Sequence, residues 1–104
     1  MELKFANYGQ ERDVNATPEE YQIAGIILGE FPDESLRLVR VSDGYVTIKR
    51  NDWDIVRFKY TDRAKWLMFP IIETRKKHRI EDVSEVEDFF AAVADSINHA
   101  KKYD

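Results

Sequence analysis

The sequence has no cysteine and no long run of apolar residues, and each absence excludes a group of structures or functions. Without cysteine there is no disulfide, no thiolate nucleophile and no cysteine-ligated zinc or iron–sulfur cluster. The apolar stretches are too short to cross a bilayer, so we expect no membrane partner. The opening residues MELKFANYGQ lack the apolar segment of a secretory signal. We therefore expect a cytoplasmic protein.

Motifs that carry chemistry are also scarce. The four glycines are scattered, so no phosphate-binding loop is present. Neither His78 nor His99 has a set of metal ligands near it in the sequence, and the acidic residues between 81 and 88 lack the spacing of a calcium loop. No candidate nucleophile has a base beside it. We therefore expect no enzymatic activity, no cofactor and no metal.

What the sequence does contain is an uneven distribution of charge. Residues 35–80 hold 12 Lys or Arg against 5 Asp or Glu, whereas the other residues hold 4 against 15. The middle is basic and both ends are acidic, although the formal net charge is only −4. This pattern indicates that the basic middle meets an anionic partner or the acidic helices of its own chain.

Two helices are predicted from their start signals. Thr17, followed by Pro18 and then by Glu20, is a capping box, and it predicts a helix from Pro18 to about Glu30 that ends before Pro32. A second capping box, Ser84–Glu87, precedes a regular apolar stripe near the C-terminus. The stripe consists of Val86, Phe89, Phe90, Val93, Ala94, Ile97 and Ala100.

The basic middle has the alternation and the short turns of an antiparallel sheet. Asp43-Gly44 and Asn51-Asp52 are two-residue connections that suit hairpins, and Pro70 places the last long strand at an edge or at a bend. The run Arg75–Arg79 is either a loop or a short fifth strand ending at Ile80. The predicted strands are Leu36–Ser42, Tyr45–Arg50, Trp53–Tyr60 and Lys65–Ile72.

Together these elements predict an α+β fold. An N-terminal helix precedes a four- to five-stranded antiparallel meander, and a long C-terminal amphipathic helix packs on the sheet. A chain of 104 residues fits a single domain, 1–104. Residues 1–16 form either an edge strand or a flexible arm.

Strand periodicity assigns one sheet face to the core and the other to function. The predicted core face contains Val46, Ile48, Val56, Phe58, Leu67 and Phe69. The opposite face is aromatic and cationic, and Ile55 also falls on it. With the basic run that follows the sheet, this face supplies the candidate binding residues Arg37, Tyr45, Lys49, Trp53, Arg57, Lys59, Trp66, Arg75, Lys76, Lys77 and Arg79.

Two interpretations of this face remain open. In one, the first helix covers the tryptophans with Tyr21, Ile27 and Phe31, and the Arg and Lys stems lie around the rim. In the other, the face binds another molecule. A non-enzymatic module that binds a protein partner is the first choice, and nucleic-acid binding through the same residues is the alternative. An acidic inhibitor that mimics nucleic acid, and a homodimer, are further hypotheses.

Overall fold

The protein is described by a computed structural model that covers residues 5–7, 17–33, 35–40, 45–73 and 75–102. Within these residues lie two α-helices, one 3-10 helix and six β-strands. The predicted α+β class is confirmed, with one helix before an antiparallel sheet and another packed on the sheet after it.

The first helix, α1, spans Pro18–Glu30 and begins as the sequence predicts. The Thr17 hydroxyl accepts a hydrogen bond from the Glu20 backbone N–H at 3.2 Å, and the Glu20 carboxylate accepts one from the Thr17 N–H at 2.9 Å. This reciprocal pair satisfies backbone groups that the first turn of a helix leaves without partners. The helix ends at Glu30 with Phe31 as its C-cap, because Pro32 disfavours helical backbone in the residue before it.

One sheet contains all six strands. They are β1 Phe5–Asn7, β2 Leu36–Arg40, β3 Val46–Arg50, β4 Trp53–Tyr60, β5 Lys65–Met68 and β6 His78–Arg79. The order of the strands in the sheet follows their order along the chain. From β2 to β6 all neighbours are antiparallel, which confirms the predicted meander, whereas β1 is parallel to β2.

The fourth predicted strand is shorter than expected. The prediction of Lys65–Ile72 is wrong beyond Met68, where the chain turns. The Phe69 carbonyl accepts hydrogen bonds from the N–H groups of Ile72 at 3.1 Å and Glu73 at 2.8 Å. Pro70 has no N–H to give to a ladder, so the chain leaves the sheet at this point.

The remaining strand boundaries are close to the prediction. β3 begins one residue later than expected, after Tyr45. The basic run 75–79 ends in the short strand β6 rather than remaining a loop throughout. The predicted turn Asp43-Gly44 and the end of the first predicted strand at Ser42 lie outside the described residues, as does most of the predicted arm 1–16.

The C-terminal helical region has two parts. A 3-10 helix, Val83–Phe89, leads directly into α2, Phe90–Lys101. The predicted apolar stripe is confirmed at Val86, Val93, Ile97 and Ala100, which are buried in the core.

The cap of this region lies two residues earlier than predicted. The Asp82 carboxylate accepts a hydrogen bond from the Ser84 N–H at 3.0 Å, and the Glu85 carboxylate accepts one from the Asp82 N–H at 2.6 Å. The predicted box of Ser84 and Glu87 is therefore wrong. Asp82 and Glu85 have the same spacing, and aspartate caps as well as serine. Donation from the Ser84 side chain and N–H holds the pKa of Asp82 below its usual 3.8.

The hydrophobic core lies between the sheet and the helices. The six residues predicted for the core face are all buried. Ile23 and Ile27 of α1 belong to the same cluster as Val93 of α2, and the Phe31 and Phe90 rings meet edge to face at 5.7 Å. Both helices therefore pack on one face of the sheet. The interpretation in which α1 covers the opposite face is wrong.

A β-bulge interrupts the pairing of β3 with β4. Ile48 pairs with Val56, but the next residue of β3, Lys49, pairs with Asp54. Ile55 is the extra residue, and both Ile55 and Val56 are fully buried in the core. The prediction that Ile55 lies on the opposite face is wrong, because a bulge breaks strict alternation.

Candidate functional site

The two tryptophans, predicted to share one sheet face, lie on opposite faces. Beyond the bulge, Trp53 pairs with Arg50, whose guanidinium lies 3.7 Å from the Asp33 carboxylate after α1. Since paired residues share a face, Trp53 is on the helix side, where it is 36% exposed. Trp66 pairs with Lys59 on the face opposite both helices, here called the basic face.

The centre of the basic face is a cluster of aromatic rings and cations. The Trp66 indole N–H donates a hydrogen bond to the Tyr45 hydroxyl at 2.6 Å. The Arg57 guanidinium carbon lies 4.9 Å from the centre of the Tyr45 ring, and the Lys59 ammonium lies 5.4 Å from it. The structure therefore brings four predicted side chains into contact through cation–π and hydrogen-bonding interactions.

The accessible end of the basic face is an edge cluster formed by Trp66, Lys77 and Arg79. The Lys77 ammonium lies 4.4 Å from the centre of the Trp66 ring. Arg79 pairs with Trp66 across β5 and β6, and its side chain is 78% exposed. Its guanidinium also contacts the Glu81 carboxylate at 3.1 Å. One cation thus lies over the indole ring, and a second belongs to the residue paired with Trp66 in the neighbouring strand.

The turn that leads into β6 is held by a carboxylate. Glu73 contacts the Lys76 ammonium at 3.4 Å and His78 Nε2 at 3.0 Å. The hydrogen bond with His78 is the main cause that lowers the pKa of Glu73 from its usual 4.5. The exposed Arg75 lies in the same turn. Arg75 and Lys76 therefore lie next to the edge cluster along the chain.

The remaining predicted residues, Arg37 and Lys49, lie at the other end of the basic face. The Lys49 ammonium contacts the Asp54 carboxylate at 3.3 Å. A guanidinium nitrogen of Arg37 donates to the Asn51 carbonyl at 3.3 Å. The β3–β4 turn and its carboxylate satisfy these cations locally, so we separate them from the edge cluster.

Exposure differs across the basic face. Thr47 is only 1% exposed and Tyr45 only 9%, so the middle of the face is nearly buried. Lys77 and Arg79 are exposed. The accessible part of the basic face is therefore its β5–β6 edge.

The sequence places carboxylates beside the basic run 75–79, where Glu73, Glu81 and Asp82 are expected to neutralise part of its charge. The structure confirms this for Glu73, which contacts Lys76, and for Glu81, which contacts Arg79. Asp54 could not be found in the same way, because its contact with Lys49 depends on the bulge.

A concave region lies on the helix side of the sheet. It is an open groove of about 680 Å³ between the end of α1, Arg50 and the last turns of α2. The Ser35 hydroxyl and N–H donate to Asp33 in this groove at 2.6 and 2.9 Å, and these bonds, followed by the nearby Arg50, lower the pKa of Asp33. Acidic and basic side chains both line it, among them Glu30 and Lys101.

Two kinds of feature are absent from the described ranges. No three His, Asp or Glu side chains there are placed to hold a metal ion. None of the helices found there is long and apolar enough to span a membrane.

Comparison with known proteins gives no match to a family model, to a curated protein or to a solved structure. Function is therefore inferred from the side chains of the basic face.

Proposed function

We propose that this chain is a small non-enzymatic interaction module that binds an acidic segment of a protein partner through the edge cluster. The observation that carries the proposal is the Lys77 ammonium over the Trp66 ring at 4.4 Å, beside the exposed Arg79. No carboxylate among the described residues pairs with Lys77. A cation already held in place loses less side-chain entropy on binding than a freely rotating lysine.

The charge around the edge cluster supports an anionic partner. Arg57 and Lys59 lie on the same face, and Arg75 and Lys76 lie in the adjacent turn. The positive potential of these side chains attracts a negative segment and increases its association rate, most strongly at low salt.

The same contacts favour a protein partner over nucleic acid. Binding of single strands usually depends on bases that stack on aromatic rings. Here a cation lies over Trp66, and two cations lie over Tyr45. A base would have to displace these cations, whereas a carboxylate can bind them where they are.

Mimicry of nucleic acid by the acidic residues has less support. The carboxylates of Asp82 and Glu85 cap the 3-10 helix, and the Glu81 carboxylate contacts Arg79. These groups have structural contacts that a mimic of a phosphate backbone would need to give up.

The test compares charge reversal at the edge cluster with the same change elsewhere. A fluorescent polyglutamate peptide is titrated against the wild type, the Lys77→Glu/Arg79→Glu double variant and a Lys101→Glu/Lys102→Glu control. The control changes the net charge equally, and its exposed residues lie at the end of α2. We expect the edge variant to bind about tenfold or more weakly, because two charge-assisted contacts are lost and reversed. The control should stay near the wild type.

An oligonucleotide of the same charge as the peptide distinguishes binding of an acidic protein segment from binding of nucleic acid. Tighter binding of the oligonucleotide than of the peptide would favour the nucleic-acid hypothesis. Equal losses of peptide affinity in the edge variant and the control would show that net charge attracts the peptide without a specific site. The proposal would then be wrong. Circular dichroism of each variant checks that it is folded.

A further inference from the structure

The backbone of β6 has one side that faces away from the sheet. The Ile80 N–H donates to the Lys65 carbonyl at 2.9 Å, and the adjacent pair is Trp66 with Arg79. In antiparallel strands, pairs that exchange hydrogen bonds alternate with pairs that do not. The Arg79 pair is of the second kind, so its N–H and carbonyl point away from β5.

These outward groups lie at the end of the sheet. β6 is the last strand in the sheet order. Among the described residues, no hydrogen bond is made to the outward N–H or carbonyl of Arg79. An edge of this kind is a template on which a further strand can pair.

We propose that the acidic segment binds as an added β-strand, with its backbone paired to Arg79 at the outer edge of β6. This inference rests on the proposed function, because it specifies how the same edge cluster holds its partner. Backbone hydrogen bonds supply affinity in this mode, and alternate side chains supply specificity.

The side chains beside the edge define the sequence of the partner. A residue paired with Arg79 places its side chain on the basic face, where a glutamate meets the guanidinium. The residue two positions along the added strand lies on the same face and is within reach of Lys77. The residues between them face the helix side, near His78 and Phe89, whose rings are 5.1 Å apart. The partner is therefore an extended segment in which acidic and apolar residues alternate.

A second copy of this chain fits the edge poorly. Two β6 strands side by side would bring Arg79 and Lys77 close to the same residues of the other copy. Like charges opposite each other destabilise a strand pair. The charges of this edge therefore select an acidic strand and reject a copy of β6.

Backbone methylation of a peptide probe tests the inference without altering the protein. The probe is a short peptide in which glutamate alternates with valine. One derivative is N-methylated at the glutamates, whose N–H groups would point toward β6, where one of them donates to the Arg79 carbonyl. The other is N-methylated at the valines, whose N–H groups would point away. The two derivatives have the same composition and charge.

We expect the parent and the valine-methylated peptide to bind alike. The glutamate-methylated peptide should bind about tenfold or more weakly, because its N–H groups no longer donate to the Arg79 carbonyl and the backbone beside it. Hydrogen exchange at the Arg79 amide should slow when the valine-methylated peptide is bound. If both derivatives bind like the parent, the proposed function stands and strand addition is wrong. If the parent peptide itself does not bind, both the proposed function and strand addition are wrong.

Discussion

At the scale of single residues, two turns in the described part of the chain adopt a backbone conformation that most side chains avoid. Asn51 has a φ of 55° and Arg75 has a φ of 66°. Asparagine tolerates this left-handed region because its short polar side chain bonds to nearby backbone. Arginine has no such compensation. The turn before β6 therefore contains local strain that the β3–β4 turn lacks.

The Arg75→Gly variant should stabilise the protein. Glycine adopts a positive φ without a steric penalty, and part of that gain is offset by its larger unfolded-state entropy, which leaves a net gain of about 0.5–1 kcal/mol. Urea denaturation measures the free energy of unfolding. Arg63→Gly is the matched control, since Arg63 is also an exposed turn residue but has no positive φ, and it should not stabilise. A loss of stability in Arg75→Gly would contradict the argument.

At the scale of elements, the bulge decides which residues of β4 belong to the core. Ile55 and Val56 are neighbours in the chain, yet both are fully buried in one cluster. The extra residue also turns Trp53 to the helix side, beside Arg50. The bulge thus places Trp53 on the helix side instead of the basic face, and it places Ile55 in the core.

The Ile55→Ala variant measures the effect of the bulge. If Ile55 packs in the core, its truncation should lower the free energy of unfolding by about 2–5 kcal/mol, because apolar contacts are lost and a cavity remains. Chemical denaturation of Ile55→Ala and Val56→Ala should show large losses in both. A loss below about 1 kcal/mol for Ile55→Ala alone would place that side chain on the surface.

The turn held by Glu73 should make stability dependent on pH. The pKa of Glu73 in the folded protein lies below its usual 4.5, so its contacts contribute stability above that pH and lose it as the pH falls through the lowered pKa. The pKa values of Asp33 and Asp82 are lowered too, which gives the same sign. The Tm should therefore fall as the solution is acidified below about pH 4.5.

The Glu73→Gln variant isolates one contribution to this pH dependence. At neutral pH its Tm should lie below that of the wild type, and the difference should shrink as acid protonates Glu73 in the wild type. Thermal denaturation across this pH range provides the comparison. Parallel curves for the two proteins would show that Glu73 does not contribute.

The sequence predicts the helices and strands better than the bulge and the turns that connect them. Alternation places Val46, Ile48 and Phe58 on the core face, because regular strands turn every second residue to one side. The bulge was not predictable, since two adjacent apolar residues fit several registers. The contact of Glu73 with His78 was missed because it depends on the turn after Phe69.

At the scale of the whole molecule, the sheet separates two environments. One face packs against both helices, and the other carries the aromatic and cationic side chains. Each face has one tryptophan, so intrinsic fluorescence can report on the faces separately. The edge cluster contains Trp66, whereas Trp53 lies on the helix side.

Fluorescence should therefore respond to polyglutamate through one tryptophan alone. A carboxylate bound to the Lys77 ammonium over the Trp66 ring adds a negative charge close to that indole and should change its emission. The Trp53→Phe variant should keep the response and Trp66→Phe should lose it. The opposite result would move the binding site to the helix side of the sheet.

The agreement between strand order and chain order bears on how the molecule folds. Each strand from β3 to β6 pairs with the strand before it, so short loops close one hairpin after another. β1 differs, because α1 lies between it and β2 in the chain, so their pairing closes a longer loop. Because closing the longer loop costs more entropy, we expect the meander to assemble first and the β1 edge to join last. The edge that we propose binds the partner would then be complete before the opposite edge has formed.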